Sequence, residues 1–383
     1  MDFDLTDEQR LLRDSVDRLL ADNYTFEKRR SYLSEAEGWS RALWGRYAEQ
    51  GLLGLPFPEV HGGFGGGGVE IMLVMEAFGR TLALEPYLAT AVLGGTALRL
   101  AGSEAQQAAL LPEIAEGNRL LAFAHGERQA RYDLPDVLTS ATRKGGGWTL
   151  DGAKSVVLHG DTADTLIVSA RTGGERGDPA GITLFLVDGA ASGVARRGYA
   201  LRDGNRAAEV TLSGVEVAAD AVLGEVGGAF PVIERVVEAG IAAMAAEAVG
   251  AMETMQAMTL EYLKTRQQFG QPIGRNQALQ HRATEMFIAL EQGRSMAMLA
   301  AMTVDEAESS PTAAAERARN MSMVKAGIGQ AARFVSQNAV QLHGGIGMTE
   351  EYAVGHYFRR VMVIEHTFGD TAHHLSRLAQ TAA

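Results

Sequence analysis

The hydrophobic period of this chain changes twice, and that change limits its possible folds more than any other feature. Up to about residue 117, apolar side chains recur three and four residues apart. From about 118 to 224 they fall into short runs separated by Gly, Asp and Pro, and beyond 225 helical spacing returns over much longer stretches. Consecutive strands without intervening helices point to a compact β-barrel or sandwich rather than a parallel α/β sheet. The expected class is α+β, with domains at 1–117, 118–224 and 225–383.

Local signals place the elements. Thr6 stands to cap a first helix, with Glu8 and Gln9 in its first turn and Leu11, Leu12, Val16, Leu19 and Leu20 along one face. Ser40 stands to cap a second, through Trp44 and Tyr47, which stops at the turn-rich LLGLPFPEVHGGFGGGG. Helices are expected again over 69–80, 87–101 and 104–116, and strands over 120–124, 148–150, 155–158, 165–170, 182–187 and 209–217. Pro231 suits the first turn of a long helix over 232–266, with further helices over 276–303, 313–343 and 371–382. Ala243, Ala246 and Gly250 permit close helix approach, as in a four-helix bundle.

Composition excludes several functions. A formal charge of −12 with scattered Lys and Arg argues against a nucleic-acid partner. The absence of cysteine removes disulfides, thiolate nucleophiles and thiolate metal sites. The opening MDFDLTDEQRLLRDSV has neither signal-peptide nor transit-peptide character, so a cytoplasmic location is expected. No apolar run approaches the roughly 18 residues needed to cross a bilayer, so no membrane association is expected. His373 and His374 are adjacent but lack a third ligand at suitable spacing, so no metal is expected.

Two motifs carry chemistry: RQQFGQPI at 266–273 and QLHGGIG at 341–347. An Arg and paired glycines at helix ends suit a phosphate, through a guanidinium fork and bare backbone N–H groups. In this order and within alanine-rich helices, they resemble the R-x-x-F-G and Q-x-x-G-G-x-G signatures of the acyl-CoA dehydrogenase family. FDLTDEQRLLRDSV, GLLGLPFPEVHGGFG and VTLSGVEVAADAVLGEVGGAF extend the resemblance along essentially the whole chain. It implies an all-helical N-terminal domain, a central β-barrel domain and a C-terminal four-helix bundle. It also implies FAD, held largely from a neighbouring subunit. Arg266 would pair with the pyrophosphate and Phe269 would wall the adenosine side. Gln268 and Gln277 match positions near the same moiety. Gln341, Gly344 and Gly345 would approach across a subunit boundary, and Thr371 would hydrogen-bond FAD.

The chain also departs from the family. FAHGE at 123–127 stands where a Y-x-V-T-E strand belongs, SVVLHG at 155–160 replaces W-I-T-N, and the P-G-A-G-S-D turn is absent. Backbone N–H groups near Gly126 and His159 are left to contact the flavin ring. His125 and His159 read as surface or strand-end polar residues. GGFGGGG reads as a flexible connection near the acyl-CoA entrance.

The family's reaction removes a weakly acidic proton beside a thioester, which requires a desolvated carboxylate. Many members carry it in Y-E-G-T, but here the segment is FGDT and the glutamate position is Gly369. Asp370 lies one residue later. A subset of the family places the base on the first long helix, near Gly240, and Glu238 is two residues short of that point, rotated by roughly 200 degrees. Asp370 and Glu238 are the catalytic candidates, whereas Glu247 reads as a packing carboxylate.

The ending resembles small subunits of two-component bacterial acyl-CoA dehydrogenases, of the pimeloyl-CoA dehydrogenase small-subunit type or those acting on sterol side chains. The implied activity is α,β-desaturation of an acyl-CoA, with electrons passing to an electron-transfer flavoprotein. The implied assembly is a homotetramer, or a heterotetramer with a related catalytic chain. A non-catalytic FAD-bracketing subunit and a flavin oxidase or monooxygenase of the same fold are the alternatives.

Overall fold

A computed structural model describes residues 4–306 and 310–381. Its helices are α1 (Asp7–Asn23), α2 (Phe26–Tyr32), α3 (Arg41–Glu49), α4 (Gly68–Thr81), α5 (Gly95–Ala101) and α6 (Glu104–Ala115), then α7 (Phe230–Thr265), α8 (Gln277–Val304), α9 (Pro311–His343), α10 (Val354–His366) and α11 (Thr371–Thr381). Between α6 and α7 run β1 (Leu121–Ala124), β2 (Ser140–Lys144), β3 (Gly147–Leu158), β4 (Thr165–Arg171), β5 (Ile182–Asp188), β6 (Val194–Ala200), β7 (Arg206–Ala218) and β8 (Val222–Leu223). A small hairpin, β9 (Gln267–Gln268) and β10 (Gln271–Pro272), follows α7. The chain forms two compact units that do not follow sequence order. One takes residues up to Ser31, Gly67–Ala83 and Ile241 onward, and the other takes Tyr32–Gly66 and Leu84–Gly240.

In the first unit, α1 begins with a capping box. Thr6 Oγ1 accepts from Gln9 N at 3.2 Å, and Gln9 Oε1 accepts from Thr6 N at 3.0 Å. Its buried Val16, Leu19 and Leu20 face inward. The alanine-rich stretch of α7 crosses α4 at unusually close range. A Cβ on Gly250 would run into the Glu76 carbonyl, and one on Gly79 into the Glu247 carbonyl. Around this crossing Arg80 donates to Asp17 at 2.6 Å, Glu76 at 3.0 Å and Glu253 at 3.1 Å, and Arg294 of α8 shares Glu76 at 3.0 Å. Glu247 is buried and accepts two bonds of 2.6 Å from Arg360 of α10, which is the packing role expected of it. Helix α10, absent from the sequence reading, joins the bundle through Val354, Tyr357, Val361 and Ile364. Its buried His356, Arg360 and Glu365 interrupt the apolar pattern.

In the second unit, Ser40 precedes α3 as expected but does not cap it. Its N–H instead donates to buried Glu85, which also accepts from Tyr47 Oη at 3.2 Å. The helix expected over 87–101 is π-helical at Leu88–Gly94 before continuing as α5. The glycine-rich segment after Pro58 is tied down rather than loose. Phe64 N donates to Gly54 O, Gly65 N to Phe57 O and Gly66 N to Leu55 O.

The strands form one sheet in the order β6-β7-β3-β2-β4-β5-β8, with β1 parallel to β4. The path is open at β6 and β8. Residues of β1 to β5 and β7 nonetheless share one core, including Trp148, Val168, Phe185 and Val210, so the sheet folds over itself. The two short strands expected over 148–158 are one strand. Register shifts at Leu150/Gly152 and Lys154/Val157 break its alternation, which made it read as two. Strand β6 is a largely exposed edge, VARRGYA, without the one-sided apolar pattern that marks a strand.

One ion pair lies inside this β core. Lys154, fully buried, gives its three ammonium protons to Glu127 Oε1 at 2.6 Å, Ser169 Oγ at 2.9 Å and His125 O at 3.2 Å. Glu127 also accepts from Leu138 N at 2.8 Å, Thr139 N at 3.0 Å and Gln129 Nε2 at 2.8 Å. Burial alone would raise the Glu127 carboxyl, but Lys154 and these donors hold it down to about 2. Burial pushes Lys154 down to about 8, so it is mainly charged at neutral pH.

Two expectations follow. Gly250→Ala should destabilise the protein by about 1–3 kcal/mol, because the helices must move apart. An unchanged thermal midpoint would remove the crossing from this account. Glu127 has a depressed carboxyl, so its contribution is complete above its ordinary value of 4.5 and is lost as pH falls toward 2. The double variant Glu127→Gln/Lys154→Met should therefore lose less stability than the wild type when unfolding is followed from about pH 6 down to about pH 3.

Candidate functional site

The first motif leaves α7 as an exposed hairpin. Arg266 N donates to Tyr262 O at 2.9 Å, closing the last helical turn, and Arg266 O accepts from Ile273 N at 2.9 Å across the hairpin base. Phe269, at the tip with φ of 52°, is fully exposed. The Arg266 guanidinium is exposed and meets no acceptor among the described residues. Gln268 is exposed, with Nε2 donating to Gln267 O at 2.7 Å, and Gln277 is exposed as the first residue of α8. A groove of about 610 Å³, lined by Leu260, Leu263, Pro272, Gln280, Ala283 and Phe287, runs between the end of α7 and the start of α8.

The second motif ends α9. Gln341, Gly344 and Gly345 are exposed, while His343 is buried. Gly344 leaves the helix at φ 64° and ψ −142°, a conformation reserved for glycine. Among the described residues, apart from the immediate chain neighbours, no atom lies within 4 Å of where a Cβ on Gly344 or Gly345 would sit. The His343 ring centroid lies 4.6 Å from that of Tyr262, one turn before Arg266. The two motifs therefore stand at the same end of one unit of a single chain, rather than on opposite sides of a subunit boundary as the resemblance implied. An uncommitted guanidinium and two bare, solvent-facing backbone units at the same end of that unit suit an extended anion such as a diphosphate.

The turn at 368–371 is built differently from a carboxylate platform. Gly369 is buried with φ of 102°, and a Cβ there would lie 2.5 Å from His374 Nε2 and 2.8 Å from His373 Cδ2. Buried Lys325 of α9 donates to Gly369 O at 2.6 Å and to Glu365 O at 2.8 Å. Burial lowers Lys325 to about 8 against the pull of Glu365 and Asp370. His374 Nε2 is 2.9 Å from Phe368 O, and burial lowers this imidazole to about 4, so it is a neutral donor there. Asp370 Oδ1 accepts from His373 N at 2.8 Å, as an N-terminal cap of α11. Thr371 N donates to Glu365 Oε1 at 3.1 Å, and its hydroxyl is buried against Gly329 with no hydrogen-bond partner among the described residues. Glu365 also accepts from Arg333 at 3.0 Å.

Glu238 is a buried carboxylate on α7, in the part of that helix belonging to the second unit. His125 and His159, expected as surface or strand-end residues, stand directly after the ends of β1 and β3, and both are buried. His125 is held there because Ser169 Oγ lies 2.9 Å from its Nδ1, and burial, with Lys154 adding to it, lowers the ring to about 3 and keeps it neutral. His159, with φ of 51°, follows β3 in a tight turn. Gly126, between His125 and Glu127, remains exposed. Lys154, Lys325, Glu365 and His343 escaped the sequence reading as positioning groups, since nothing in their local pattern separates a buried polar residue from an exposed one. Among the described residues no three His, Asp or Glu side chains gather as a metal site, and no helix is long and apolar enough to cross a membrane.

Comparison with known proteins matches this arrangement along its length. The family models described as acyl-CoA dehydrogenase N-terminal, middle and C-terminal domains match residues 6–118, 122–215 and 229–383. A probable acyl-CoA dehydrogenase, YngJ, of Bacillus subtilis is 28% identical over 99% of this chain and 98% of its own. The structure of butyryl-CoA dehydrogenase from Megasphaera elsdenii superposes with a TM-score of 0.90 at 26% identity, covering 100% of both chains. A chain of the ChsE4-ChsE5 complex from Mycobacterium tuberculosis does so with a TM-score of 0.87 at 27% identity, covering 100% of this chain and 99% of that one. With its helical N-terminal, β middle and helical C-terminal regions all matched, this chain belongs to the acyl-CoA dehydrogenase family of flavoprotein oxidoreductases.

Proposed function

We propose that this chain binds FAD through Arg266 and the Gly344–Gly345 turn and serves in α,β-desaturation of an acyl-CoA thioester, with electrons passing to an electron-transfer flavoprotein. The convergence of the two motifs through the Tyr262–His343 contact, at 4.6 Å between ring centroids, carries this reading. FAD, when bound, supplies the hydride acceptor. Arg266 would pair with the diphosphate and the two glycines would bring bare N–H groups to it. Gln268, Phe269, Gln277 and Gln341 lie on the same two motifs for the remaining contacts. All of these groups are exposed in a single chain, which suits cofactor contacts made across an oligomer interface.

A second reading concerns the proton, and the turn at Gly369 favours it. The proton on the carbon beside the thioester must pass to a carboxylate, and Gly369 offers none. Asp370 has one oxygen engaged as a helix cap, which leaves Asp370 and Glu238 as this chain's own candidates. The turn favours a heteromeric assembly in which a related chain supplies the carboxylate and this one brackets FAD. Similarity to a chain of the ChsE4-ChsE5 complex supports the same arrangement.

The test is purification of the full chain, alone and with candidate related chains, followed by anaerobic addition of acyl-CoA. Retained flavin whose visible band bleaches supports desaturation, and bleaching only in the mixture supports the heteromer. Rapid oxygen consumption without electron-transfer flavoprotein would instead indicate an oxidase. Arg266→Ala should weaken FAD binding by at least about tenfold, corresponding to a lost charge-assisted hydrogen bond of about 1.5–3 kcal/mol. Gly369→Glu should leave the isolated chain no more active and should lower its thermal stability, since His373 and His374 occupy the space. A gain of activity would refute the closed-turn account.

A further inference from the structure

His343 is a buried side chain that links both halves of the anion grip. It is 3% exposed, sits on the last turn of α9, and its Nδ1 lies 2.7 Å from Ala339 O. That contact makes Nδ1 the protonated nitrogen and fixes the ring's orientation. The ring meets Tyr262 of α7, at 4.6 Å and 31° between planes, and Tyr352, at 5.1 Å and 49°. The residue after His343 is Gly344, where the backbone turns out of the helix. The carbonyl of Tyr262 accepts from the N–H of Arg266. A single ring therefore separates the backbone that launches the glycine turn from the backbone that launches the arginine.

Resting on the diphosphate reading above, we propose that His343 is a positioning residue that sets the gap between Arg266 and the Gly344–Gly345 turn, so that both reach one diphosphate. The ring acts as a spacer rather than as a charge. Burial lowers its proton affinity and no charged side chain opposes this, so it is neutral near pH 7; the titratable groups stacked against it are the Tyr262 and Tyr352 phenols. Removing the ring would let α7 and α9 close together at this end, and the two anion-binding groups would lose their common target. A displacement near 1 Å is enough to lose much of the benefit of a preset geometry.

The experiment titrates flavin-free full chain with FAD, by quenching of flavin fluorescence, and with ADP by calorimetry, with circular dichroism and thermal midpoints recorded for every variant. His343→Ala is expected to weaken both ligands at least tenfold. His343→Phe, which keeps a ring to meet the two tyrosines, should stay within threefold of the wild type. His343→Asn keeps a donor for Ala339 but lacks the ring. It should behave like the alanine variant and replaces it if that variant does not fold. In an Arg266→Ala background the loss caused by His343→Ala should shrink to less than threefold, because there is no longer a pair to align. A folded ring-less variant with wild-type FAD affinity overturns the proposal, as does a phenylalanine variant as weak as alanine or full additivity with Arg266→Ala. Failure of the wild type to bind either ligand would instead reject the diphosphate reading itself, and this inference with it.

Discussion

The helical unit depends on the place where α7 crosses α4. Gly79 and Gly250 each face a carbonyl of the opposite helix, so the two backbones touch without side chains between them. At such a distance the helices have almost no freedom to slide. The Glu247 side chain leaves the same crossing and meets Arg360 through two parallel bonds, while Tyr357 donates to Arg80 O at 2.5 Å. One junction thus orients α4, α7 and α10 together. A buried pair of this kind gains little net energy over apolar packing, because desolvation offsets the attraction. Its two parallel hydrogen bonds admit one relative placement of the helices, and losing either partner would strand a buried charge. The end of α7, where Arg266 emerges, inherits its position from this junction.

Buried lysines serve a related purpose at the two segments where the chain departs from its family. Lys154 lies beneath the His125–Glu127 segment and holds one backbone carbonyl, and Lys325 lies beneath the turn at Gly369 and holds two. An ammonium has three donors and no acceptor, so it can hold several carbonyls at once where the backbone has no regular partner. Both ammonium groups are buried, and that burial lowers each to about 8. The β-domain turn and the last turn before α11 are therefore rigid by construction. They are not loops from which the usual side chains happen to be missing.

This bears on how a family scaffold can change its chemistry while keeping its cofactor surface. At Gly369 the space next to the backbone is filled by His373 and His374, and the adjacent carboxylate, Asp370, caps a helix. The anion-binding ends of α7 and α9 depend on different contacts, chiefly Tyr262 with His343. The two regions share helix α9, through Lys325 at one and His343 at the other, but each is held by its own side-chain contacts. Preserved glycines at 344 and 345 beside an altered turn at 369 are physically compatible in one molecule.

The sequence alone was enough for the order of helical and strand regions, for the long helices and for the two motifs that carry the family resemblance. These rest on local signals: a repeat of three and four, a capping box at Thr6, and glycines at helix ends. It could not supply β6, whose exposed edge has no apolar alternation, or the continuity of β3, whose register shifts disguise it as two strands. It also missed α10, where buried His356, Arg360 and Glu365 look like surface residues until their partners are known. Only the tertiary structure decided that His125 is buried, that Glu247 meets Arg360, and that a ring at 343 joins two distant motifs. Burial and pairing of polar groups depend on what residues far along the chain place beside them, and no local pattern records that.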